Sequence, residues 1–266
     1  MKTRVVSGII LVVIMAACLF AGPILWNPLF IGISFIGLYE LYRVFQMERT
    51  ILGILGYVAV LCYDGMVILG YQKEANLLAI LTLIAFLCAY VIFFPKFDAI
   101  KVFAGFSGFI YVGVFLSYMI RIRSLPDGFL YTLLVFICSW LNDTAAYFSG
   151  MLFGKHKLAP VLSPKKTVEG FVGGILAATL VGGLYGFLFG DYIRAIHNPT
   201  VAFAVACGIG AVISVVGDLA ASAIKRNYEI KDYGTLIPGH GGIMDRFDSI
   251  IIIAPVIYVC ILMFTK

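Results

Sequence analysis

Four carboxylates, Glu40, Asp64, Asp143 and Asp218, stand within long apolar stretches, and two more, Asp245 and Asp248, stand at the start of another. An ionisable group at membrane depth is costly to bury, so each marks a candidate for function. Glu40 precedes Arg43 by one helical turn, which predicts an intrahelical pair. Asp64 has no such companion and reads as a polar packing contact. Asp143 lies four residues from both Ser139 and Tyr147, and Asp218, Ser222 and Lys225 recur at i, i+4 and i+7. Each set makes a polar stripe along an otherwise apolar helix. Such a stripe is either a site or a polar seam joining two spans.

Two polar segments favour a site. Between Lys225 and Asp248, Pro238, Gly239, Gly241 and Gly242 force irregular backbone, whose N–H groups, left free, would cradle phosphate. Asp245 and Asp248 follow at i, i+3. With Asp218 from the preceding stripe they suit a hard divalent cation, because Mg²⁺ takes one or two carboxylates together with phosphate oxygens and water. Between Gly150 and Thr167, Lys155, Lys157, Lys165 and Lys166 stand among hydroxyls ahead of a helix start, a polyphosphate cradle by charge and dipole. The simpler role of these lysines is to hold the loop against anionic headgroups. His240, set between glycines, reads as an acid or base, a phosphate donor or a turn residue. Ser222-Ala-Ile-Lys225 matches an S-x-x-K string without its partner motifs. Gly234 to His240 lacks the Lys-Ser/Thr ending of a P-loop. Six cysteines without a CxxC pair read as small buried hydrophobes, and three histidines argue against a zinc site.

The elements that must position these residues follow from composition. Of 266 residues, 62% are apolar and 12% charged, and the mean hydropathy is +1.04, against about 45–50% apolar and about 25% charged in soluble domains. A separate soluble domain is excluded, and the fold class is all-α: a polytopic membrane protein of about nine spans, near Val5–Ala21, Leu29–Tyr42, Ile51–Tyr71, Leu77–Phe94, Val102–Ile120, Phe129–Phe148, Val168–Phe189, Val201–Ile224 and Ile250–Phe264. The basic start and first apolar run read as a retained span rather than a cleaved signal. With the N-terminus cytoplasmic, Lys73, Arg121, Arg123, Arg194 and Lys266 fall outside, leaving fourteen of the 19 Lys and Arg inside, as the positive-inside rule requires. Both polar segments then share the cytoplasmic face. The chain divides into residues 1–120, about five spans, and residues 121–266, which carry the loops 150–167 and 225–248. Basic loops this short, embedded in membrane, do not suggest nucleic-acid binding.

Ser222-x-Ile224-Lys225-Arg226-x4-Lys231-Asp232-x-Gly234-x2-Ile237-Pro238-x-His240-Gly241-Gly242-Ile243-x-Asp245-Arg246-Phe247-Asp248 resembles the signature of the phosphatidate cytidylyltransferases, the CDP-diacylglycerol synthases. Ser163-Pro-Lys165-Lys166-Thr167-x-Glu169-Gly170 and Asn142-Asp143-x-x-Ala146-Tyr147 are also similar to that family, so the likeness is carried by the C-terminal half. It implies transfer of a cytidylyl group from CTP to phosphatidate, giving CDP-diacylglycerol and pyrophosphate, with Mg²⁺ and a second cation such as K⁺. It also implies a homodimer in a bacterial inner (plasma) membrane, with a polar cavity open to the cytoplasm and the site facing that side. Carried over by motif position, Asp218 and Asp245 are the principal metal ligands, with Asp248 and Asp143 supporting. Lys165, Lys166, Lys225 and Arg226 are candidates for phosphate contacts. Ser163, Thr167 and Glu169 would organise the loop, and Ser222, Lys231, His240, Gly241, Gly242 and Arg246 complete the substrate-binding set. An ion-coupled transporter using Asp143 and Asp218 is the rival from another class. A CTP-using polyprenol or dolichol kinase, which releases CDP, is the rival among enzymes.

Overall fold

Helices form wherever the apolar runs predict them, because a chain in lipid must satisfy its backbone hydrogen bonds internally. The computed structural model describes residues 2–265, with the side chains of residues 2–4 left aside. Lys2, Arg4 and Lys266 of the charge distribution therefore lie outside the described side chains. The order is α1 (Lys2–Ala21), α2 (Pro23–Val44), α3 (Ile51–Ile68), α4 (Gln72–Ile92), α5 (Ala99–Gly108), a π-helical stretch (Phe109–Val114), α6 (Phe115–Arg123) and α7 (Gly128–Phe153). Two strands, β1 (Lys157–Ala159) and β2 (Ser163–Thr167), precede α8 (Val168–Phe189), α9 (Pro199–Asn227) and α10 (Met244–Phe264). Among the described residues, eight helical stretches are long and apolar enough to cross a membrane, with Ala99–Arg123 counting as one, and Val5–Ala21 is a shorter ninth. The expectation of about nine spans holds.

Local sequence sets several starts. Thr50, Asp98, Thr167 and Asn198 each accept the amide three residues on, at the starts of α3, α5, α8 and α9, the ordinary N-cap device. Both polar segments are shorter and more ordered than expected. α7 runs on to Phe153, and the chain after it folds into an antiparallel hairpin that pairs Lys157 with Thr167 and Ala159 with Ser163. The other segment loses its first residues to α9 and its last to α10.

The chain forms two compact units, residues 1–121 with 230–247 and residues 122–229 with 248–266. Residues 230–247 pack with the N-terminal helices although they follow α9 in the chain. In this first unit, aromatic polar tips find carbonyls across the apolar interior. Trp26 Nε1 donates to Met119 O at 3.0 Å and Tyr42 OH to Gly105 O at 2.6 Å. In the second unit, Gly170, Gly174, Ala178, Gly182 and Gly186 form a buried stripe at every fourth position of α8. Small residues at this spacing let helix backbones approach closely. A Cβ at Gly174 would meet Asn142 of α7, and one at Gly182 would meet Cys207 of α9.

Candidate active site

The second unit encloses a cavity of about 420 Å³ between α7, the hairpin, α8 and α9. Asp143 enters from α7, Asp218 from α9, and Ser163, Lys165, Lys166 and Thr167 from β2. Residues from two sequence motifs and Asp218 of the second polar stripe therefore line one cavity. Thr167 ends the strand and caps α8 through its Oγ1, which accepts from Gly170 N at 3.1 Å. The hairpin thereby enters the helix at a fixed angle, with Lys165 and Lys166 just ahead of its N-terminus. Lys166 Nζ is ion-paired with Asp218 Oδ2.

The carboxylates gather charge around that pair. Asp143 lies within electrostatic range of Asp218 and Lys166, and Asp248, just past the first turn of α10, within range of Asp218, Lys225 and Asp143. Ser222 Oγ donates to Asp218 Oδ1 at 3.5 Å, the outer limit of a hydrogen bond. Glu169 does not line the cavity. It accepts from His156 N and meets His156 Nδ1 at 2.6 Å, bracing the start of the hairpin. Arg226 is exposed at the end of α9.

Asn142 is a cavity residue whose part only the structure defines. It is 1% exposed, and neither atom of its carboxamide has a hydrogen-bond partner in the protein. A buried amide left open costs free energy unless a ligand or water completes it. The adjacent Asp143 drew attention by its charge, whereas a neutral amide in an apolar run carries less signal.

In the first unit the glycine-rich segment has an order the sequence does not suggest. Four of its amides, those of Tyr233, Gly242, Ile243 and Met244, are engaged by carboxylates. Asp245 Oδ2 accepts from Tyr233 N at 2.8 Å and from Gly242 N at 3.0 Å. Glu40 accepts from Ile243 N and Met244 N. Arg43, within electrostatic range of Glu40, also donates from its guanidinium to Tyr233 O at 2.7 Å. Gly241 has φ +84°, a conformation that favours glycine. His240 Nδ1 lies 2.8 Å from Ser7 Oγ, beside α1, while Lys231 and Arg246 are exposed. Asp64 is fully buried without a hydrogen-bond partner. Its electrostatic partner is Arg121, which donates to Tyr63 OH at 2.9 Å.

Among the described residues, no three Asp, Glu, His or Cys side chains close on a single ion position. The donor chemistry nevertheless fits a hard cation brought in by a nucleotide: two carboxylates suffice when phosphates and water supply the other oxygens.

The helices and this cavity define a polytopic membrane protein that sets lysines against carboxylates at the end of its spans. A model of the Cytidylyltransferase family matches residues 2–264, and the chain belongs to that family. It is 31% identical over 280 residues to a phosphatidate cytidylyltransferase of Bacillus subtilis (strain 168), covering 100% of this chain and 99% of the relative. Identity to the protein of that name from Staphylococcus saprophyticus is 33% over 270 residues, 98% of this chain and 99% of the relative. With that of Staphylococcus epidermidis it is 41% over 152 residues, 57% and 56% of the two chains.

Proposed function

We propose that this protein transfers the cytidylyl group of CTP to phosphatidate, forming CDP-diacylglycerol and releasing pyrophosphate. The observation that carries the reading is the cavity lined by Lys165, Lys166, Asp143 and Asp218, together with membership of the family. The lysines offset the charge of the triphosphate and of the departing pyrophosphate, interactions that strengthen as charge moves onto the leaving group. A phosphate oxygen of phosphatidate attacks the α-phosphorus of CTP in line, and the bond to the β-phosphate oxygen breaks. The phosphate monoester is already largely ionised at neutral pH, so no protein group is assigned as general base. Asn142 offers a donor and an acceptor to the nucleotide or to its bound water.

Asp143 and Asp218, which line the cavity, would hold Mg²⁺, with Asp248 supporting from within electrostatic range of both and Asp245 assigned a ligand's role by motif position alone. When bound, the cation shields the phosphates from one another and from the carboxylates. Arrival of the metal nucleotide requires Lys166 to leave Asp218 for a phosphate. Lys225, Arg226, Lys231, His240, Gly241, Gly242, Arg246 and Ser222 are proposed as substrate contacts on motif grounds, with a second cation such as K⁺ and a homodimer proposed on the same grounds. A cytoplasmic site is supported by the sided charge, and a bacterial membrane by the bacterial relatives.

Purified full-length protein incubated with α-labelled CTP, Mg²⁺ and phosphatidate is expected to yield labelled CDP-diacylglycerol and free pyrophosphate. Release of CDP with a newly phosphorylated lipid, or no lipid product from a folded preparation, refutes the assignment.

A further inference from the structure

Within the unit formed by residues 1–121 and 230–247, a carboxylate from the second helix holds the glycine-rich segment. Glu40 is 4% exposed. Its Oε1 accepts from Ile243 N at 3.1 Å and its Oε2 from Met244 N at 2.9 Å, across 203 and 204 residues of sequence. These amides open α10, where a helix has no carbonyl of its own to offer them. A negative group there also complements the helix dipole. The backbone is shaped around this carboxylate. The three atoms that a Cβ on Gly242 would meet first all belong to Glu40, and a Cβ on Gly234 would also strike it. Arg43, one turn along α2, fixes the other side of the segment through Tyr233 O. Asp245 then accepts from Tyr233 N and Gly242 N, so two carboxylates hold four of the segment's amides between them.

We infer that Glu40 is a positioning residue: it caps α10 from α2 and fixes the loop conformation in which Asp245 is presented. This gives the N-terminal spans a part in catalysis, and it rests on the functional reading above for the loop's place in turnover. In Glu40→Gln the side-chain amide nitrogen faces a backbone N–H and cannot accept from it. Hydrogen exchange across residues 233–244, followed without substrate, is expected to accelerate about tenfold or more, the value of one charge-assisted hydrogen bond. Turnover is expected to fall about 10- to 100-fold, with KM for CTP changed less than about threefold. Gly242→Ala is expected to slow the wild type strongly and to add little in a Glu40→Ala background, because it acts through the same contact. It also tests the contact from the loop side should Glu40→Gln fail to accumulate. Unchanged exchange in folded Glu40→Gln, unchanged turnover, or additive effects of the two alanine substitutions would each overturn the inference. Exchange is read without catalysis, so it separates a failure of this brace from a failure of the cytidylyltransferase assignment.

Discussion

Replacing Lys166 by Met tests whether the cavity lysine and a metal nucleotide compete for one carboxylate. Lys166 and Asp218 are ion-paired with side chains 26% and 31% exposed, so their attraction is neither fully screened nor fully buried. Two unit charges in contact gain about 4 kcal/mol at an effective dielectric of about 20. After desolvation and side-chain ordering, the net is on the order of 1–2 kcal/mol. At 1.4 kcal/mol per factor of ten, removing the ammonium should tighten divalent-cation binding at the carboxylates about tenfold. Turnover should move the other way. A charge-assisted phosphate contact is worth about 1.5–3 kcal/mol, so kcat/KM should fall about 10- to 100-fold. Free Mn²⁺ measured by electron paramagnetic resonance over the full-length protein reports the first effect, and labelled CTP turnover the second. Weaker or unchanged Mn²⁺ binding in the variant refutes the exchange of Asp218 between lysine and cation, and undiminished turnover refutes the phosphate contact.

Asp218→Asn is expected to abolish turnover with the melting temperature in detergent little changed, and Asp245→Asn to abolish turnover and also lower the melting temperature, because its carboxylate accepts from Tyr233 N and Gly242 N; full activity in either refutes its metal assignment. Asp64→Asn, remote in role, is expected to retain most activity under the same assay. Gly174→Ala forces a methyl group against Asn142 and should lower stability by about 1–3 kcal/mol, the usual cost of overpacking. A thermal unfolding midpoint equal to that of the wild type would show that α7 and α8 are not as closely packed as described.

The site was partly legible beforehand. Asp143, Asp218, Lys165 and Lys166 stand out because each places charge in or beside an apolar run, and all four line the cavity. Glu40 stands out equally, but its spacing to Arg43 points only to an electrostatic neighbour and not to its hydrogen-bond donors. An i, i+3 pattern reports only what one helix can do alone, whereas the donors that claimed Glu40 lie more than 200 residues away. Glycines 241 and 242 read as openings for phosphate, yet Gly242 is small because a carboxylate needs the room. Asn142 carries no charge, and the openness of its amide is a property of its surroundings.

The sequence by itself determined the solvent, the fold class and the number of spans. Hydropathy is a local property, and lipid leaves a long apolar segment little choice but a helix. Only the tertiary structure decided which charges meet. The hairpin that carries Lys166 to Asp218, the glycine stripe that draws α7 and α9 onto α8, and the reach of Glu40 to the start of α10 join positions far apart in the chain. No local pattern encodes such pairings, because they follow from how helices of similar hydrophobicity pack.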